Sequence, residues 1–152
     1  MLQWRRVVAY KVGLMIQATI RIRVQFGDVD STQRIHFTAM FRYMEVAEHQ
    51  LMRNIGQPYT TAPERPALPR VHLSCDFRGA IRYDDELDVS AHIARVGTSS
   101  WTVAFTARNV SRDQSPIVAE GQMVIVSMDP ATERATPLPE ELREALLHAM
   151  DS

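Results

Sequence analysis

Apolar and polar residues alternate strictly from Ile20 to Phe26, with Ile20, Ile22, Val24 and Phe26 on one side and Arg21, Arg23 and Gln25 on the other. That period of two predicts a half-buried strand. A polar stretch from Gly27 to Arg34 follows, after which Met40, Met44, Ala47, Leu51 and Ile55 recur every three or four residues. This is the period of an amphipathic helix, which Gly56 and Pro58 stop, so a helix is expected over 38–55. The segment 57–69 carries Pro58, Pro63, Pro66 and Pro69 and reads as a surface loop.

Strand patterns resume beyond it. Val71, Leu73, Cys75 and Phe77 alternate with polar residues, as do Leu87, Val89, Ala91 and Ile93, and then Trp101, Val103, Phe105 and Ala107. After the turn-like SRDQSP at 111–116, residues 117–128 become apolar on both sides, as in a strand flanked by neighbours. Pro137 and Pro139 precede Glu140 and Glu141, and Leu142, Ala145, Leu146 and Ala149 mark a short terminal helix. Residues 1–17 show no clean period before or around the second methionine, Met15, and read as an N-terminal extension of uncertain order; residues 18–152 form one domain. The order is strand, long helix, four strands, short helix. This is α+β, with five antiparallel strands and one long helix on a sheet face. Such a sheet leaves a face or edge to protect, so association into a homodimer is expected.

Composition narrows the function classes. Of 152 residues, 17 are Lys or Arg and 18 are Asp or Glu, a formal charge of −1 that supplies no basic field for nucleic acid. No apolar run is long enough to span a membrane, and the stretch 7–16 is broken by Lys11 and lacks a small-residue cleavage site. A single cysteine, Cys75, fits a reducing compartment, so a cytoplasmic location is expected. There is no GxSxG, no phosphate loop and no paired GxGxxG. The five histidines lack metal-ligand spacing, so no metal is expected.

What remains is FGDVD at 26–30, followed by STQRIHF at 31–37, between the first strand and the long helix. The unpaired N–H groups and positive dipole of a helix N-terminus can hold a developing oxyanion, and a carboxylate beside them can attack or activate water. By spacing alone, a turn-forming or capping role is the commoner one for Asp28 and Asp30 at such a junction.

The stretch FGDVDSTQRIHFTAMFRYMEVAEHQLM at 26–52 resembles the opening of the hotdog-fold acyl-CoA thioesterases of the 4-hydroxybenzoyl-CoA thioesterase type. Asp28 and Asp30 match that family's acidic pair, Arg42, Tyr43, Glu45 and Ala47 match its helix, and RYDDELDVSAHI at 82–93 is similar to its strand entry. The resemblance covers about residues 20–128. It implies a hotdog fold, a curved five-stranded antiparallel sheet wrapped around the long helix, in a homodimer or homotetramer with the active site at the subunit interface. It implies hydrolysis of an acyl-CoA thioester to free acid and coenzyme A, with Asp30 as nucleophile or general base and the Phe37 backbone N–H polarising the thioester carbonyl. No cofactor is implied, coenzyme A entering only as part of the substrate. The family's glycine after the pair is Gln33 here, a departure that bears on the shape of the turn.

Further candidates are His36, six residues after Asp30, to orient water or substrate, and Glu48, because a related hotdog subgroup uses a helix glutamate. Arg78 and Arg82 are candidates for the phosphates of coenzyme A, since guanidinium forks suit phosphate. Phe41 and Tyr59, with Phe37, are placed to line one end of an acyl pocket. Two rival functions share the fold: a hydratase or dehydratase pairing Asp30 with His36, and a non-catalytic acyl-CoA-binding module.

Overall fold

The computed structural model describes residues 7–8, 11–12, 15–60 and 65–152. In chain order, β1 (Val7–Val8) and β2 (Lys11–Val12) precede β3 (Met15–Arg23), α1 (Phe37–Asn54), β4 (Arg70–Phe77), β5 (Glu86–Val96), β6 (Ser100–Asn109) and β7 (Ile117–Val126). The short pair β8 (Met128–Asp129) and β9 (Arg134–Ala135) and the helix α2 (Glu140–Asp151) follow. The five long strands form one antiparallel sheet in the order β3, β5, β6, β7, β4, with β1 added at the β3 edge. This is the expected α+β architecture, with α1 packed on β3 and β5 and α2 against β5 and β3. Of the expected extension over 1–17, residues 1–6, 9–10 and 13–14 lie outside the described residues. Val7 and Val8 pair with Ile20 and Thr19, and β3 begins at Met15. Pro63, in the proline-rich loop, also lies outside them.

The helix forms where its apolar stripe demands. Met40, Met44, Ala47 and Leu51 are buried, and each large side chain of this kind contributes about 1.5–3 kcal/mol when removed from water. His36 caps the start, its Nδ1 accepting from the Thr38 N–H at 3.3 Å and lying 2.7 Å from Thr38 Oγ1. At the other end Gly56 turns into the left-handed region (φ 76°), and the Gln57 N–H reaches back to the Met52 carbonyl at 2.8 Å.

The inward rows of β5 and β6 stand in register, Val89 opposite Ala107, Ala91 opposite Phe105 and Ile93 opposite Val103, and all are buried. Gly121 on β7 lets the layers close. A Cβ there would sit 2.3 Å from the Ser74 carbonyl oxygen and 2.7 Å from the Met44 methyl, so only glycine admits β4 and α1 this near. Leu142, Leu146 and Ala149 seat α2 on the core.

Two patterns resolve differently from the sequence expectation. The first long strand ends at Arg23 rather than at Phe26, because the Gln25 N–H donates to the Asp28 carboxylate and Gln25 accepts from the Asp28 N–H. The resulting 3-10 turn, Phe26–Asp28, swings Phe26 outward to 79% exposure, its ring edge against Tyr83. The alternating apolar face of β4 is also not covered. Cys75 touches the core, but Val71 (59%), Leu73 (45%) and Phe77 (44%) stay exposed, because β4 is a sheet edge that pairs, among the described residues, with β7 alone. Among the described residues, no helix is long and apolar enough to cross a membrane.

Candidate active site

The chain between β3 and α1 folds as a small hairpin whose arms meet at the isolated bridge between Val29 and Ile35. The Asp30 N–H donates to the Arg34 carbonyl at 3.0 Å and the Gln33 N–H to the Asp30 carbonyl at 2.9 Å. The turn closes through Gln33 at φ 60°. Glycine reaches this region without strain, whereas another residue bears roughly 1–2 kcal/mol there, so the glutamine keeps a glycine-type turn at a cost in stability. The Ile35 N–H, bonded to the Ile81 carbonyl at 2.8 Å, ties the hairpin to the segment before β5.

At the hairpin tip Asp30 Oδ1 accepts from both the Thr32 N–H (2.8 Å) and the Thr32 hydroxyl (2.5 Å). The Thr32 hydroxyl first, and its N–H second, hold the Asp30 carboxyl below its usual range, so it is ionised at neutral pH. Its other oxygen accepts no hydrogen bond from the described residues. Six residues beyond Thr32's neighbour Ser31, Phe37 opens α1 with its N–H free of any acceptor among the described residues and with no acidic side chain in the first turn. The positive end of the helix dipole is therefore available. Asp30, Thr32, Arg34 and Phe37 line an open cleft of about 470 Å³, closed on the far side by Phe77 and Arg78.

The structure thus brings Asp30, Phe37 and Arg78 together. Arg78 also pairs with Glu120 at 3.2 Å. His36 is the helix cap, its ring stacked on Phe37. Phe41 packs against the core and Arg82 lies on the surface, neither of them lining the cleft. Thr32 and Arg34 were missed by sequence reasoning. The Asp-x-Thr spacing, which allows a side chain to bond the backbone two residues on, is the signal that points to Thr32; nothing comparable marks Arg34.

Tyr59 and Glu48 belong elsewhere. Glu48 is fully buried and accepts from Arg70 Nη2 at 2.9 and 2.8 Å and from the Tyr59 hydroxyl, with the Arg70 guanidinium 4.9 Å above the Tyr59 ring. Burial, with Glu48 beside it, raises the Tyr59 pKa, so the phenol stays protonated and donates. This cluster borders a second open cavity of about 530 Å³, lined also by Glu45, His49 and Arg65. The two cavities adjoin opposite ends of the exposed strand β4, Arg70 bordering one and Phe77 the other. No pattern in the sequence pairs Glu48 with Arg70, which are 22 residues apart. Among the described residues, no three His, Cys, Asp or Glu side chains are grouped to hold a metal.

Comparison with known proteins places this geometry. Residues 24–146 match the model of the thioesterase-like superfamily. A 1,4-dihydroxy-2-naphthoyl-CoA hydrolase of Prochlorococcus marinus is 29% identical over 99 residues, 59% of this chain and 65% of that protein, so the match spans just under two thirds of that relative. The enzyme of the same name from Synechococcus elongatus is 22% identical over 126 residues, 81% of this chain and 90% of its own. Among solved structures, a 1,4-dihydroxy-2-naphthoyl-CoA thioesterase from Synechocystis superposes with a TM-score of 0.78 at 19% identity, over 86% of this chain and 96% of that one. A 4-hydroxybenzoyl-CoA thioesterase variant complexed with 4-hydroxybenzoyl-CoA gives 0.76 at 19%, over 86% and 98%. The structural likenesses establish the fold and the family match establishes the lineage: the chain belongs to the thioesterase-like superfamily, built on the hotdog fold, and is by class a thioester hydrolase.

Proposed function

We propose that the chain hydrolyses an acyl-CoA thioester to the free acid and coenzyme A, with Asp30 supplying the carboxylate and the Phe37 N–H the oxyanion contact. The observation that carries this reading is one cleft holding both an ionised carboxylate with a free oxygen and an acceptor-free N–H at a helix N-terminus. The thioester oxygen accepts from the Phe37 N–H, which stabilises the negative charge that develops there. Asp30 either attacks the carbonyl carbon, forming a mixed anhydride that water opens, or takes a proton from an attacking water. In both routes the C–S bond breaks and the thiolate leaves to be protonated. Arg78 at the cleft wall suits the phosphates of coenzyme A.

The working unit in this reading is a homodimer joined through β4. Antiparallel self-pairing of β4 occupies its open hydrogen-bonding edge, extends the sheet across the two-fold and sets the Arg70 end of one chain beside the Phe77 end of the other. The Asp30 cleft of one protomer then meets the second cavity of its mate. The lining of that cavity by Glu45, His49, Tyr59 and Arg65 favours an acyl group bearing hydroxyl or carboxyl substituents over a plain alkyl chain. The relatives' names, with their dihydroxynaphthoyl substrate, support the same choice.

The test is thiol release from a panel of hydroxylated aromatic, short-chain and long-chain acyl-CoAs. The Cys75 thiol, pushed up to about 11 by burial and then by Asp76, adds little background at neutral pH. Asp30→Asn is expected to lower turnover by about 10² to 10⁴ without unfolding the protein. A fully active Asn variant would overturn the assignment.

A further inference from the structure

The cleft uses one carboxylate of the FGDVD pair; the other is committed to a different task. The Asp28 side chain is only 14% exposed and accepts from Arg42 Nη2 at 2.8 Å, from the Tyr43 hydroxyl at 2.5 Å and from the Gln25 N–H at 3.1 Å. Its carbonyl accepts from the His36 N–H at 2.7 Å. Asp28 does not line the Asp30 cleft. Arg42 and Tyr43 stand five and six residues beyond Phe37, on the helix whose first N–H faces the cleft.

We infer that Asp28 is a positioning residue for the reaction, which bolts the hairpin carrying Asp30 to the same helix that presents the Phe37 N–H. The inference rests on the catalytic reading of Asp30. At its base the hairpin from Val29 to Ile35 is joined to the start of α1 by the backbone bond from the His36 N–H to the Asp28 carbonyl, and Val29 and Ile35 pack on the core. The side-chain bonds add a second attachment further along the helix, so the hairpin cannot rotate about its base without breaking a charge-assisted pair and leaving the Tyr43 hydroxyl without its partner. Tyr43 itself is 6% exposed, and burial followed by the bond to Asp28 raises its pKa, so it remains a donor through the working pH range. Carboxylate and oxyanion donor are thereby referred to one rigid element, the arrangement that near-attack geometry requires. The acidic pair divides its labour: Asp30 touches the substrate, and Asp28 sets where Asp30 stands.

The experiment compares kcat, KM and Tm for Asp28→Asn, Tyr43→Phe, their double variant, Arg42→Gln and Asp30→Asn, with the best acyl-CoA of the panel and well below each Tm. A displaced carboxylate costs on the order of 10- to 100-fold in kcat with KM moving less than about threefold. That loss is expected for Asp28→Asn and Tyr43→Phe, with the double variant no worse than the poorer single, because both break one clamp. Arg42→Gln, at the exposed end of the clamp, keeps the fold if a more buried variant does not and is expected to lower kcat in the same direction. Folded Asp28→Asn, Tyr43→Phe and Arg42→Gln proteins that keep wild-type kcat while Asp30→Asn is inactive would overturn the positioning role alone, as would variants that lower only Tm. An active Asp30→Asn protein would overturn the catalytic reading and this inference with it.

Discussion

Replacing Arg70 with leucine isolates the contribution of the ion pair beneath the second cavity. Glu48 is fully buried on α1, and its two oxygens take both contacts from Arg70 as well as the Tyr59 hydroxyl. Removing the guanidinium leaves a buried carboxylate with one neutral donor. Breaking a buried pair in this way costs about 3–5 kcal/mol, and since the Arg70 side chain keeps 28% exposure the low end, about 3 kcal/mol, applies. For a chain of this length each kcal/mol lowers Tm by about 2–4 °C, so the expected fall is about 6–12 °C. Adding Glu48→Gln removes the stranded charge while keeping an acceptor for Tyr59, and is expected to restore more than half of the loss. Urea unfolding and a thermal scan, both followed by tryptophan fluorescence with Trp101 buried in the core and at one protomer concentration, read the free energies and the Tm. An Arg70→Leu protein within about 1 kcal/mol of wild type, or a double variant weaker than the single, would refute the account of Glu48 as a charge that depends on its partner.

Three other outcomes follow from the same geometry. In the proposed reaction Asp30 works as the carboxylate, and Thr32 holds its pKa down, so Thr32→Val is expected to move the acid limb of the kcat/KM profile to higher pH; an unmoved limb would deny Thr32 that role. Gln33→Gly relieves a left-handed residue and is expected to leave activity intact and raise stability by at most about 1 kcal/mol, whereas a clear loss of stability in urea would mean that the glutamine side chain supports the turn. Leu73→Lys places a charge in the exposed β4 face and is expected to yield a monomer with little turnover by sedimentation and thiol release; an active monomer would detach the second cavity from the active site.

Much of this molecule was legible along the chain because local periods report local burial. The stripe from Met40 to Ile55 located α1 to within a residue at each end, and the alternation in residues 87–107 located β5 and β6, since each of those patterns faces one continuous core. The strand-to-helix junction at residues 26–37 and its acidic pair stood out, and Gln33 stood out as the residue at the family's glycine position; that it keeps a glycine's φ is a finding of the structure. Tertiary structure decided the rest. An alternating strand is the same in sequence whether its apolar face is covered or bare, so only the sheet order revealed that Val71, Leu73 and Phe77 lie on an open edge. Asp28 and Asp30 are indistinguishable by type and spacing, and in the sequence the resemblance alone singled out Asp30; their surroundings differ only in the fold, where α1 delivers Arg42 and Tyr43 to Asp28 and Asp30 stands beside a cleft. Glu48 stood in the sequence as a candidate helix glutamate, and only the fold brought Arg70 and Tyr59 to it. A period records which face of an element is buried, but a partner for a charge is chosen in three dimensions, by residues whose distance along the chain carries no signal.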